Sequence, residues 1–202
     1  MIVVADTGPL HYLILLDHVE LLHRFYSQVV VPDTVAIELS SPSAPSPVRD
    51  WMARAPPWLS VVPVESDRVR AITDDLDLGE RAAIALAATI HADLLLIDEA
   101  AGRAEARRRN LRVTGTLGVL RVAAELGLVD VPGLIVRIKA TSFYADDALL
   151  AAVFGRWLPS DTRLPRASVT GMGTLTGFRR ELNERKIPSS TEFSSLARSS
   201  AR

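Results

Sequence analysis

Short apolar runs alternate along this chain with stretches of helical periodicity. Ile2–Ala5 is the first run, four residues that suit a buried strand. Asp6-Thr7-Gly8-Pro9 interrupts it, and Leu10–Leu16 reads as a helix. Asp17 is placed to cap a second helix through Phe25, with Glu20 three residues on completing a capping box. Gln28–Val31 is a second β-branched run, and Pro32 suits the first turn of the helix that carries Glu38. After the loop Ser40–Pro47 come a short helix at Val48–Arg54 and a strand or extended connection at Leu59–Val62. Leu78–Ile90 is an Ala-rich helix, Leu94–Ile97 an apolar strand, Asp98–Arg109 a helix and Leu111–Thr114 a short strand. Gly115-Thr116 turns into a helix at Leu117–Leu126 that ends on Gly127, and two further helices fill Pro132–Thr141 and Tyr144–Phe154. Strands separated by helical segments predict an α/β fold, a parallel sheet with helices on both faces.

Composition narrows this picture. The 202 residues allow one ordinary domain with an appendage. Aromatics are only 5% of the chain, so the core must be built from Leu, Val, Ile and Ala. The absence of cysteine excludes disulfides, thiolate zinc sites and cysteine nucleophiles. Met1–Leu16 lacks the basic start of a signal peptide, and Ala82–Ile97 is too short and too polar to span a bilayer, so a cytoplasmic protein without membrane attachment is expected.

Net charge is -1, but its distribution is uneven. Residues 1–155 carry 14 basic and 20 acidic side chains, whereas residues 156–202 carry 9 and 4 and are rich in Ser, Thr, Gly and Pro. The reading is a domain over 1–155 followed by a basic, flexible tail over 156–202, with weak helices at Leu175–Asn183 and Thr191–Ala197.

In an open parallel sheet, ligands collect at the carboxyl ends of the strands. Asp6 follows the first strand and Asp98 the strand Leu94–Ile97, so both project from one edge. Glu38 sits in an apolar stretch of its helix, and Glu80 opens the helix Leu78–Ile90. Each has an ordinary reading as well: Asp6 and Asp98 as helix caps, Glu80 as a partner of the helix dipole, Glu38 as an exposed helix residue. Four converging carboxylates repel one another unless a divalent cation neutralises them. Oxygen ligands without His or Cys favour Mg²⁺ or Mn²⁺, and water on such an ion can attack a phosphodiester. Arg103, one turn beyond Asp98, is a candidate for holding a phosphate.

Five segments in this order resemble the PIN-domain nucleases, in the branch related to VapC-type toxins, over residues 1–155. They are Val4–Leu10, Val31-Pro32 with Glu38, Leu78–Ala87, Leu95–Ala104 and Val113–Gly118. The resemblance implies a three-layer α/β/α sandwich with a central, mainly parallel sheet. It implies an acidic pocket that binds Mg²⁺ or Mn²⁺ and hydrolyses RNA. By position Asp6, Glu38, Glu80 and Asp98 match the family's acidic cluster. Glu99 stands where many relatives have a further acid, and with Asp6, Glu80 and Asp98 makes the expected metal-ligand set. Thr116 matches a hydroxyl near the acids, and Thr7 is placed to hold a carboxylate or a water. The resemblance further implies a small antitoxin that blocks the pocket, and a homodimer. A non-catalytic RNA- or protein-binding module on the same fold is the alternative. A phosphate-transfer enzyme fits less well: Gly8 stands where an aspartyl nucleophile's second Asp is expected, and no P-loop occurs.

Overall fold

The computed structural model describes residues 1–26 and 28–158. The tail beyond Leu158, with the two helices expected in it, lies outside the described residues. The apolar runs become the strands β1 (Val3–Ala5), β2 (Val29–Pro32), β3 (Leu59–Val62), β4 (Leu94–Leu96) and β5 (Val113–Thr114). All are parallel, in the order β3-β2-β1-β4-β5. The helices between and after them are α1 (Thr7–Leu15), α2 (Glu20–Tyr26), α3 (Asp33–Ser40), α4 (Ser46–Met52), α5 (Ser66–Arg70), α6 (Leu78–Thr89), α7 (Ala100–Arg108), α8 (Thr116–Glu125), α9 (Val131–Lys139) and α10 (Asp147–Phe154).

The alternation of side chains across the strands divides the core in two. Val3, Ala5, Val29, Val31, Leu94 and Leu96 face one layer, packed with residues of α1 to α4 and α8 to α10. Val4, Val30, Leu95 and Ile97 face the other, packed with α5, α6 and α7. Strands buried on both faces must be apolar at consecutive positions, which is why they read as unbroken runs. The result is the expected three-layer α/β/α sandwich.

Several boundaries differ from the periodicity for physical reasons. Pro32 ends β2, in register with Val62, instead of opening a helix. It has no N–H to give, and its φ of -59° with ψ of 150° suits the end of a strand. Asp17 has φ 58°, a left-handed turn at the close of α1, so it does not cap α2. Glu99 keeps an extended backbone, delaying α7 to Ala100. The short α5 has no apolar stripe and goes unanticipated; its Arg68–Glu65 and Arg70–Asp67 pairs are surface contacts. Asp77, Asp130 and Asp146 cap α6, α9 and α10, each side chain accepting from the amide three residues on.

Leu96 is fully buried in β4, between β1 and β5. Leu96→Ala is expected to lower the unfolding free energy by about 2–5 kcal/mol, measured by urea denaturation.

Candidate active site

Between β1 and β4 the direction of chain progression reverses. The chain steps outward from β1 to β2 and β3 on one side, and from β4 to β5 on the other. The helices that follow these two strands diverge, α1 to one layer and α7 to the other. That divergence opens a crevice at the carboxyl edge of the sheet. Asp6 is the first residue after β1, and its amide extends the ladder by donating to the Leu96 carbonyl at 3.0 Å. Asp98 lies two residues after β4.

Gly8, in the first turn of α1, lies between these two acids. A Cβ built on it would sit 3.5 Å from Asp98 Oδ2 and 3.9 Å from Asp6 Oδ2. The two oxygens therefore border one small space, closer together than the roughly 10 Å beyond which one ion could not link them.

Thr116, fully buried at the start of α8, fixes Asp98 with both its donors. Its amide donates to Oδ1 at 2.8 Å and its hydroxyl to Oδ2 at 2.6 Å. Gly115 beside it leaves room for the carboxylate, because a side chain there would collide with Asp98 Oδ1. Arg103, in the first turns of α7, donates from Nη1 to the main-chain carbonyl of Asp98. It thus stands at the site and braces the β4–α7 turn.

Glu38 and Glu80 come from helices on opposite layers. Glu38 accepts a hydrogen bond at Oε2 from the Thr7 hydroxyl, next to Asp6, and its carboxylate lies on Gly79 in α6. Glu80, one residue on, points into the interior against Gly102 of α7, where a Cβ would sit 2.6 Å from Oε1. Glu99 is exposed at the N-cap of α7 and makes no capping hydrogen bond. Its charge still reaches Glu80 and Asp98 and raises both carboxyls.

Asp6 and Glu80 are each only 4% exposed, and Asp6 Oδ1 and Glu80 Oε1 accept no hydrogen bond. Burial lifts the Asp6 carboxyl from its ordinary 3.8 to about 8; the Thr7 amide opposes the rise, and Asp77 and Glu80 add to it. Burial lifts Glu80 to about 7, with Asp77 again adding repulsion and its main chain easing it. Asp98 is raised by burial too, but the Thr116 hydroxyl and amide, and then Arg103, pull against that rise. At neutral pH the Asp6 carboxyl therefore keeps its proton.

A family model described as the PIN domain matches residues 2–157. The chain belongs to the PIN-domain family. PIN domains are generally nucleases, that is hydrolases, and typically use divalent metal ions. No curated protein and no solved structure matches the chain.

The pocket of this PIN domain meets the chemical requirement for a hard divalent cation. It has two unpartnered buried carboxylate oxygens, a space bordered by Asp6 and Asp98 beside Gly8, and oxygen donors alone. Among the described residues no three acidic or imidazole side chains converge as ligands of a single ion. The expected set Asp6, Glu80, Asp98 and Glu99 is thus distributed around the crevice without closing on one point.

Sequence reasoning missed Asp77. Its side chain accepts from the Glu80 amide at 2.8 Å, and its charge raises both Asp6 and Glu80. The signal was present in Asp77-Leu78-Gly79-Glu80, which has the spacing of a capping box. It also missed the glycines under the carboxylates, which no periodicity marks.

The raised Asp6 pKa fixes the sign of a stability effect. The folded state keeps a proton that the unfolded chain releases above about pH 4. This group therefore removes stability from the metal-free protein as pH rises from about 4 to about 8, and Glu80 acts in the same direction to about 7. Asp6→Asn keeps the size of the side chain and carries no charge. Metal-free Asp6→Asn is expected to unfold at a higher temperature than the parent at pH 8, with the difference shrinking towards pH 4, measured by thermal denaturation in chelator.

Proposed function

We propose that this PIN domain is a Mg²⁺- or Mn²⁺-dependent endoribonuclease and the toxin of a toxin–antitoxin pair. The observation that carries the nuclease reading is two buried, unpartnered carboxylate oxygens, Asp6 Oδ1 at the switch point of the sheet and Glu80 Oε1 against α7. Buried carboxylate oxygens left without donors are costly, and a bound cation is a group that offsets them.

In this reading Asp6 and Asp98 hold the ion directly. Glu38 and Glu80 complete the pocket directly or through water, and one of them orients the attacking water. When bound, such an ion stabilises charge on phosphate oxygens and lowers the pKa of water. Thr116 keeps the Asp98 carboxylate in one orientation through its two donors, and Thr7 does the same for Glu38 through one. Arg103 is the side chain offered for substrate phosphate, whereas the hydroxyls of Thr7 and Thr116 are taken up by Glu38 and Asp98, and Glu99 adds negative field at the rim. Single-stranded or loop RNA is the substrate class, because its backbone is accessible without opening a duplex. The toxin assignment, with a small antitoxin and a homodimer, rests on the likeness of the five segments to VapC-type proteins. Among the described residues no helix is long and apolar enough to cross a membrane.

One observation favours a second reading, a non-catalytic RNA- or protein-binding module: no three acids converge on one point among the described residues. Calorimetric titration with Mn²⁺ separates the two, since the module has no use for the metal.

Asp98→Asn keeps the size of the side chain and removes its charge. With Mn²⁺ and single-stranded RNA it is expected to cut on the order of 100- to 1,000-fold more slowly than the parent. The ion supplies several kcal/mol, and each 1.4 kcal/mol is about tenfold in rate. Parent-level, chelator-sensitive cleavage by this variant, followed on a denaturing gel, overturns the role of Asp98 as a ligand; a parent chain that leaves the RNA uncut with Mn²⁺ overturns the nuclease reading.

A further inference from the structure

Gly79 occupies the first turn of α6 at the closest approach of α3. A Cβ there would sit 2.6 Å from Glu38 Oε2, 2.9 Å from Oε1 and 3.1 Å from Cδ. All three neighbours belong to one carboxylate, and none is backbone. Glu38 Oε2, the nearest of them, is also the oxygen that accepts from the Thr7 hydroxyl, and Thr7 follows Asp6 directly. The position of Glu38 relative to Asp6 therefore depends on a bare Cα in a third element.

The substitution Gly79→Ala has two separable consequences. The fold itself would tolerate it, because the obstruction is the far end of a flexible side chain and Ala is the better helix former. The Glu38 carboxylate, however, would have to leave its place and its bond to Thr7. Gly102 does not offer as clean a case, since a Cβ there would also strike Ile97 in the core. We propose that Gly79 is a positioning residue, a seat that sets the Glu38 carboxylate against α6 and beside Asp6 for cation binding. The metal arm of this proposal rests on the metal-dependent reading above.

The test compares the full chain with Gly79→Ala, Glu38→Ala and the double variant. Carbon-13 NMR of the glutamate side-chain carboxyls is read without metal, with Glu38 assigned by Glu38→Gln, and Mn²⁺ affinity is read by calorimetry. Gly79→Ala is expected to remain folded, to move the Glu38 carboxyl signal, and to weaken Mn²⁺ binding about 10- to 100-fold, the usual range for groups that orient metal ligands. In the Glu38→Ala background it is expected to cost no further affinity. An unmoved Glu38 signal, or a loss of affinity that persists without Glu38, overturns the proposal. If Gly79→Ala alone fails to fold, the double variant is expected to fold, because the colliding carboxylate is gone; a double variant that also fails overturns the seat. A parent chain that binds no Mn²⁺ sinks the metal reading, and the NMR signal then decides the seat by itself.

Discussion

Everything at the carboxyl edge of this sheet follows from burying carboxyl groups without giving every oxygen a donor. A carboxylate inside a protein is ordinarily paired with a cation or surrounded by amides. Here Asp98 receives two donors from Thr116, Glu38 receives one from Thr7, and the buried oxygens Asp6 Oδ1 and Glu80 Oε1 receive none. Arg103, the basic side chain at the Asp98 turn, gives Nη1 to a main-chain carbonyl and not to a carboxylate. The protein thus supplies an oxygen-lined pocket and leaves part of its compensation to come from outside. A fold can carry such a deficit only where the surrounding structure is rigid, and two apolar layers on either side of a parallel sheet provide that rigidity.

Graded donor supply also divides the labour among the acids. Asp98, held at both oxygens, has one geometry available to it. Asp6 is buried with one oxygen unpartnered, and burial lifts its carboxyl to about 8. Asp77 adds repulsion to Asp6 and Glu80 while capping α6, one residue serving both the helix and the field of the crevice.

Much of this was legible in the amino-acid sequence, for reasons that can be traced. Ile2–Ala5 and Leu94–Ile97 announce buried strands because both faces of the sheet are covered, and the acid after each must then emerge at the same edge. Glu38 and Glu80 stood out less through periodicity than through the order of the five segments. The misplaced boundaries lie where backbone geometry overrides pattern. Pro32 serves a strand end as readily as a helix start, and Asp17 looks like a cap but takes a left-handed turn. The contacts beneath the acids were not legible at all. Gly79 and Gly102 sit inside helices where glycine is the poorest ordinary choice, and their purpose is visible only when a side chain distant in sequence lies against them.

The pairing of β1 with β4 has a consequence for the history of each molecule. Val3, Val4 and Ala5 stand opposite Leu94, Leu95 and Leu96, so Asp6 and Asp98 meet only across that seam. No local piece of the chain prefigures the crevice. During synthesis from the amino end, a nascent chain bears Asp6 and Glu38 long before β4 exists to complete their surroundings, and Thr116 emerges later still. The acidic centre is therefore a property of the finished sheet, assembled after translation has passed its last contributor.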